Sequence, residues 1–482
     1  MTAKLLFIAL DGGDGRLLDD WSRSGRLANL AALRRRGRFV RMGNTYDISD
    51  DALWASFQYG LGVADHGRYH YLTPLRSGDF GMGVMEEDAA DTFWSKLSAE
   101  GYEVAVFDIP KCPAPKPLNG IQLTDWLVHG RYADAPQSSP ADLAQEVVQR
   151  FGVAPASRCG YRQPHLGDDE IIDMTDTFLS SIEQKRAAGL HYLKQRAWDL
   201  FMIAFKEAHC AGHGLWQLSD SRHPEYDPDR TARLDDPVGR VFAALDAAVG
   251  DLVAEAGEQA EVVVFSTTDM EPNGSVLHLA DDIAQRVNSR LAVRHGSRIR
   301  RLRKWLRRRK PEVFCRTVPA NENFVAFQIC RHDRRRMPQA VADAEALLSE
   351  LVDPETGLSA FTDFDRPSTL WQGARADNLP DLLATCRQNA FPEVLESPRL
   401  GRVTADFERL RPGNHAAGGM AILAGDEVAR HNVAAMSDFA ELAETVLRRI
   451  AGVTLAPLRT TPDSGQLSSG SSARQRRGQP NS

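Results

Sequence analysis

The segment Trp198-Asp199-Leu200-Phe201-Met202-Ile203-Ala204-Phe205 is apolar except for Asp199, and it runs straight into Lys206-Glu207-Ala208-His209-Cys210-Ala211-Gly212-His213. An apolar run of that length with no alternation reads as a strand buried on both faces, and such strands belong to parallel sheets covered by helices on either side. Leu5 to Leu10 and Glu261 to Phe265 repeat the pattern, and Met420 to Leu423 is a shorter version. Between them lie amphipathic stretches at helical spacing, Leu17 to Gly37, Asp142 to Phe151, Asp173 to Lys194 and Pro237 to Gly257. Strands alternating with helices predict a doubly wound α/β fold with a mostly parallel sheet.

Each buried run ends in residues able to do chemistry. Leu10 is followed by Asp11-Gly12-Gly13-Asp14-Gly15, and Phe265 by Ser266-Thr267-Thr268-Asp269. Phe205 leads to the pair His209 and His213. The carboxyl ends of strands are where open α/β sheets bind ligands. If the segment after Phe205 is helical, the four-residue spacing puts both imidazoles on one face, where they can grip a metal. The plainer reading is two polar loop histidines. Glycine-rich Arg411-Pro412-Gly413-Asn414-His415 supplies a third candidate ligand beside a strand. Ser49 and Asp50 stand at a helix start with Trp54 and Phe57 on its buried face, a place that suits anion binding or, the commoner case for such a residue, an N-cap alone. His66, in the loop after that helix, reads as structural.

The chain of 482 residues is long enough for two or three domains or one large α/β domain with insertions. Residues 281–409 read as an inserted cap, between a core of 1–280 and a closing core segment of 410–458 that carries His415. The Ser-, Gly- and Arg-rich stretch 459–482 cannot bury a core and is expected to be disordered. A formal net charge of -7 disfavours bulk nucleic-acid binding. Arg298 to Lys310 is strongly basic around Ile299, Leu302, Trp305 and Leu306. It reads as a solvated helix face or as a weak contact with an anionic surface. Six scattered cysteines without paired spacing suggest reduced thiols. Leu5 to Leu10 is short and needed as a strand, so no signal peptide is expected and a cytoplasmic protein is.

Taken together, Ile8-Ala9-Leu10-Asp11-Gly12, Leu53-Trp54-Ala55-Ser56-Phe57, Asp65-His66-Gly67, the His209/His213 segment, Val264-Phe265-Ser266 with Met270, and Gly413-Asn414-His415 form an ordered series. The series resembles the alkaline phosphatase superfamily, in its type I phosphodiesterase/nucleotide pyrophosphatase-like branch. The resemblance implies two metal ions, usually zinc, flanking a nucleophile, and hydrolysis of a small-molecule phosphate ester. It maps one ion onto His209, His213 and His415, with His209 in place of the usual Asp. For the second ion it supplies Asp11, but the expected Ser-Asp-His-Gly run is Ser266-Thr267-Thr268-Asp269 here. Asp269 and His278 are then the substitute ligands to consider, with Asp50 or Ser49 at the nucleophile position. An oxygen-rich second site would suit magnesium, manganese or calcium as well as zinc. Three nucleophiles stay open: Ser49, Asp50, or water activated by the three-histidine zinc, which is preferred because that site is complete. Alternatives are a degenerate member that binds a ligand or partner without turnover, and a sulfatase, which is disfavoured because nothing near Asp50 has the required Cys/Ser-x-Pro/Ala-x-Arg context.

Overall fold

Side chains leave the strand Ala3–Leu10 alternately to opposite sides, and that alternation builds the layers. Leu6, Ile8 and Leu10 enter one hydrophobic core, while Leu5, Phe7 and Ala9 enter the other. The neighbouring strand Trp198–Phe205 behaves the same way, sending Phe201, Ile203 and Phe205 to the first core and Leu200, Met202 and Ala204 to the second.

The computed structural model describes residues 3–42, 48–70, 72–74, 80–82, 91–129, 135–153, 163, 165–295, 313–320, 322–329, 333, 335–387, 391–405, 410–425 and 439–443. Its central sheet has eight strands in the order Gly37–Arg41, Met420–Ala424, Glu261–Ser266, Ala3–Leu10, Trp198–Phe205, Val104–Phe107, Gly120–Thr124, Gln137–Ser139. The five strands from Glu261–Ser266 to Gly120–Thr124 are parallel, and the strands outside them pair antiparallel. One face is covered by the helices Ala28–Arg35, Asp168–Leu193 and Pro237–Ala256. The other is covered by Asp50–Tyr59 and Phe93–Ala99, whose Trp54, Phe57, Phe93 and Trp94 are all buried. The architecture is the doubly wound, mostly parallel sheet that the buried runs predict.

A second, four-stranded antiparallel sheet has the order Cys315–Val318, Phe324–Ile329, Leu382–Cys386, Phe361–Asp365. With the helices Ala280–His295 and Met337–Leu348 it encloses a third core. That core includes Val276 and Leu279, so the packing of this lobe starts upstream of residue 281. Phe324–Ile329 serves two cores at once, giving Phe324 and Ala326 to the central sheet's face and Val325, Phe327 and Ile329 to the lobe.

The stretch expected as one helix from Leu17 to Gly37 is two, Gly15–Ser24 and Ala28–Arg35. Gly25 closes the first in the left-handed conformation (φ 81°) that side chains avoid. The basic stretch 298–310, residues 444–458 of the closing core segment and the tail 459–482 lie outside the described residues. Among the described residues no helix is long and apolar enough to cross a membrane.

His66 is a structural residue, as its position suggests. Its Nδ1 accepts the Arg68 N–H (3.0 Å), so Nε2 carries the proton and faces Ser56 Oγ at 3.0 Å. Burial, with Arg68 and Arg375 adding to it, lowers its pKa to about 3. The unfolded chain therefore takes up a proton near pH 6.5 that the folded chain refuses until about pH 3, and stability falls as pH falls through that window. Between pH 6.5 and 5 the unfolding free energy of the native chain should decline more steeply than that of His66→Gln, by up to about 1.4 kcal/mol per pH unit. Parallel denaturant-midpoint profiles for the two proteins would contradict this.

Candidate metal centre

The strand Trp198–Phe205 runs directly into the helix Glu207–Leu215, which puts His209 and His213 on one helical face. His415 comes from the short strand Gly413–Ala416, paired antiparallel with Asp269–Pro272 so that it stands opposite Met270. The three imidazoles are at most 3% exposed. Their ring centroids lie 4.5, 4.6 and 4.6 Å apart, and one ligand atom from each falls within 4.8 Å of the others. Two glycines permit the approach. A Cβ on Gly413 would overlap the Gly212 carbonyl oxygen, and one on Gly12, at φ 60°, would lie 2.7 Å from the His209 Cα.

The tautomers follow from the hydrogen bonds. His213 Nδ1 lies 2.9 Å from the Gly413 carbonyl, which can only accept, so its Nε2 presents a bare lone pair. That atom is 3.2 Å from His415 Nε2, and His415 Nδ1 is 3.0 Å from Thr268 Oγ1. Either a proton on His415 Nε2 bridges the gap, or a cation does, with Nδ1–H then donating to Thr268. Two nitrogens of a tetrahedral zinc site, each about 2.0–2.1 Å from the ion, are about 3.3 Å apart. Burial drives the His213 and His415 pKa values far below the usual imidazole range; Arg411 then adds most at His213, and His209 at His415. Both are therefore neutral, the form that binds metal.

Asp11 directly follows the strand Ala3–Leu10. Oδ1 accepts from Trp54 Nε1 at 2.9 Å, and Oδ2 lies 3.3 Å from His209 Nδ1. Burial opposes its ionisation, but His209, Lys111 and His129 outweigh that and hold its carboxyl well below the usual range. Asp11, His129 and His209 make a second group of ligand atoms within 4.8 Å. Sequence reasoning passed over His129 as a ligand. Its ring is 4.1 Å from that of His209, and its backbone is left-handed (φ 74°). The signal available was its place just past the carboxyl end of a parallel strand.

Next to Asp11 lies a carboxylate cluster. Ser49 is the N-cap of the helix Asp50–Tyr59, fully buried, with Oγ accepting the Asp51 N–H at 3.3 Å. The Asp50 N–H donates to Glu322 Oε1 (2.8 Å), and its Oδ1 accepts from Thr267 Oγ1 (3.0 Å). Its Oδ2 pairs with the Lys111 ammonium, which also sits 2.5 Å from Asp51 Oδ1. His70 Nε2 is 3.6 Å from the other Asp51 oxygen. Lys111 was the second residue missed; it stood out only as a cation in a proline-rich strand exit.

Two expected ligands lie elsewhere. Asp269 turns toward the start of the helix Gly15–Ser24, where it accepts the Gly15 N–H (3.0 Å) and pairs with Arg41 (2.6 Å) and Arg16 (3.5 Å). Its pKa is raised, by burial first and then by Asp14. It is thus a link in an arginine–carboxylate network. His278 sits on the 3-10 turn Leu277–Leu279 leading into the lobe. Among the described residues neither belongs to a group of converging ligand atoms.

The sequence profile of the family described as type I phosphodiesterase/nucleotide pyrophosphatase matches residues 5–399. No curated protein matches. Among solved structures, phosphonoacetate hydrolase from Sinorhizobium meliloti 1021, in complex with phosphonoformate, is similar over 92% of this chain and 95% of its own, at 13% identity and a TM-score of 0.53. Murine ectonucleotide pyrophosphatase/phosphodiesterase 5 is similar over 95% of this chain and 97% of its own, at 10% identity and a TM-score of 0.53. At such identities the likeness is one of fold.

Thr268 orients His415 without being a ligand itself. Thr268→Val removes that partner at nearly constant volume, and should weaken divalent-metal affinity about 10- to 100-fold. Competition against a chromophoric chelator measures this, and an unchanged affinity would rule out the orienting role.

Proposed function

Since the chain belongs to the type I phosphodiesterase/nucleotide pyrophosphatase family, whose members are metal-dependent phosphoryl-transfer hydrolases, we propose that it is a zinc-dependent hydrolase of small-molecule phosphate esters, with phosphodiesters or nucleotide-type esters as substrates. The observation that carries the proposal is the 3.2 Å approach of His213 Nε2 and His415 Nε2, with His209 completing a buried donor set. Its chemistry is that of a catalytic zinc site, three imidazoles with one position left for water or substrate. Bound there, zinc supplies a Lewis acid for a phosphoryl oxygen and lowers the pKa of water to about 7.

The chain's own groups do the rest. The Gly413 carbonyl and Thr268 Oγ1 fix the imidazole orientations, and Asp11 faces His209. Arg411 and Lys111, both buried, carry positive charge felt at His415, which favours an anionic substrate. Ser49 has its Oγ on a backbone N–H as a helix cap, and Asp50 is tied to Lys111 and Thr267. These engagements favour activated water over Ser49 or Asp50 as nucleophile.

Thr267 and Thr268, standing where the family pattern has Asp and His, support the rival reading of a ligand-binding member without turnover. His213→Ala should lose bound zinc and reduce hydrolysis of bis-(p-nitrophenyl) phosphate to background. Ser49→Ala should lose only about 1 kcal/mol of stability with its cap and keep its turnover. A dead Ser49→Ala protein with normal zinc content would make Ser49 the nucleophile. Zinc binding without turnover of any phosphate ester would leave the rival standing.

A further inference from the structure

We propose that the Lys111 ammonium is the second cation of this centre, occupying the place a second divalent ion would take, so that the site works with one exchangeable metal and one charge fixed in the chain. The inference rests on the three-histidine zinc reading and extends it to the other half of the site.

Around Asp50 the residues present do not suit a second metal ion, and the other converging group, Asp11, His129 and His209, shares His209 with the three-histidine site. The resemblance calls for an Asp and a His after Ser266, and the chain has Thr267 and Thr268. Neither threonine carries charge, and both have other work: Thr267 Oγ1 donates to Asp50 and Thr268 Oγ1 pairs with His415 Nδ1. Asp269, the nearest replacement carboxylate, is engaged by Arg41, Arg16 and the Gly15 N–H. A second ion would keep Asp11 and Asp50 but lose one charged ligand and one imidazole.

Lys111 fills that deficit. Its ammonium bridges Asp50 Oδ2 and Asp51 Oδ1 at 4% exposure, where a lone ammonium would be strongly disfavoured and a doubly paired one is held. The helix Asp50–Tyr59 joins the two halves: Asp50 meets Lys111, and Trp54, one turn on, donates to Asp11. Lys111 also holds a left-handed backbone conformation (φ 56°), unusual for a long side chain and common where a residue is placed for function. A divalent ion among the same carboxylates would meet the ammonium at close range, so the two exclude each other.

The test is the number of zinc ions per chain. Full-length protein loaded with zinc and dialysed against metal-free buffer should retain one ion, and anomalous diffraction from a zinc-soaked crystal should show one peak, between the histidines. The triple variant Lys111→Ala, Thr267→Asp, Thr268→His, which removes the ammonium and restores the missing ligands, should retain two. Lys111→Met should keep one ion while turnover falls at least about 100-fold, and Lys111→Arg should recover part of that loss. Two ions in the native chain, or an anomalous peak beside Lys111, overturns the proposal while sparing the three-histidine reading. Lys111→Met with native turnover also overturns it. A native chain that holds no zinc removes both readings. If the triple variant does not fold, the native ion count and the anomalous map still decide.

Discussion

A narrow gap between two ring nitrogens governs the centre. His213 Nε2 and His415 Nε2 face each other at 3.2 Å inside the protein, each imidazole kept neutral by burial. A proton on His415 Nε2, or a cation between the two nitrogens, holds them at that range. The surroundings are arranged to keep them there. The Gly413 carbonyl holds one ring by its far nitrogen and Thr268 the other. Asn414, next to His415, accepts from Arg411 and donates toward Asn323 (3.1 Å), so the strand carrying His415 is pinned from both sides.

Below the centre, a balanced set of buried charges anchors the helix that carries His209 and His213. Lys185, from the long helix Asp168–Leu193, donates to the Ala204 carbonyl (3.0 Å) and pairs with Asp108 (3.0 Å) and Glu207 (3.3 Å). Lys206 adds a second contact to Asp108, and Ser181 donates to Glu207 at 2.6 Å. Two lysines and two carboxylates cancel where the parallel strands Val104–Phe107 and Trp198–Phe205 end, and each is costly to leave alone in such a place. The helix thus starts from a fixed point on the sheet, and its two histidines inherit that position.

How much of this was legible in the residues depended on whether the signal was local. Leu5 to Leu10, Trp198 to Phe205 and Glu261 to Phe265 announce buried parallel strands because burial on both faces leaves no room for polar alternation. The His209/His213 spacing is a property of one helix, and it could be read. Lys111 could not be, and His129 offered only its place just past a strand's carboxyl end, since each is a single polar residue in a left-handed loop position and becomes important only through neighbours far away in the chain. Asp269 misled for the opposite reason. It adjoins Thr268 in sequence, yet strand alternation turns it away from His415 and toward Arg41. The single helix expected from Leu17 to Gly37 failed at Gly25, where one glycine lets the chain reverse in the middle of an otherwise periodic pattern.

The lobe built on the second sheet has an edge that is part of the central core. Glu322 accepts the Asp50 N–H and forms a backbone bridge with His415, Asn323 holds Asn414, and Phe324 and Ala326 pack under the central sheet. A chimera that exchanged the lobe with that of a relative at convenient surface boundaries would carry these four residues away and strip the reaction centre of its supports. In any such exchange the stretch from 322 to 326 has to travel with the histidines it props up.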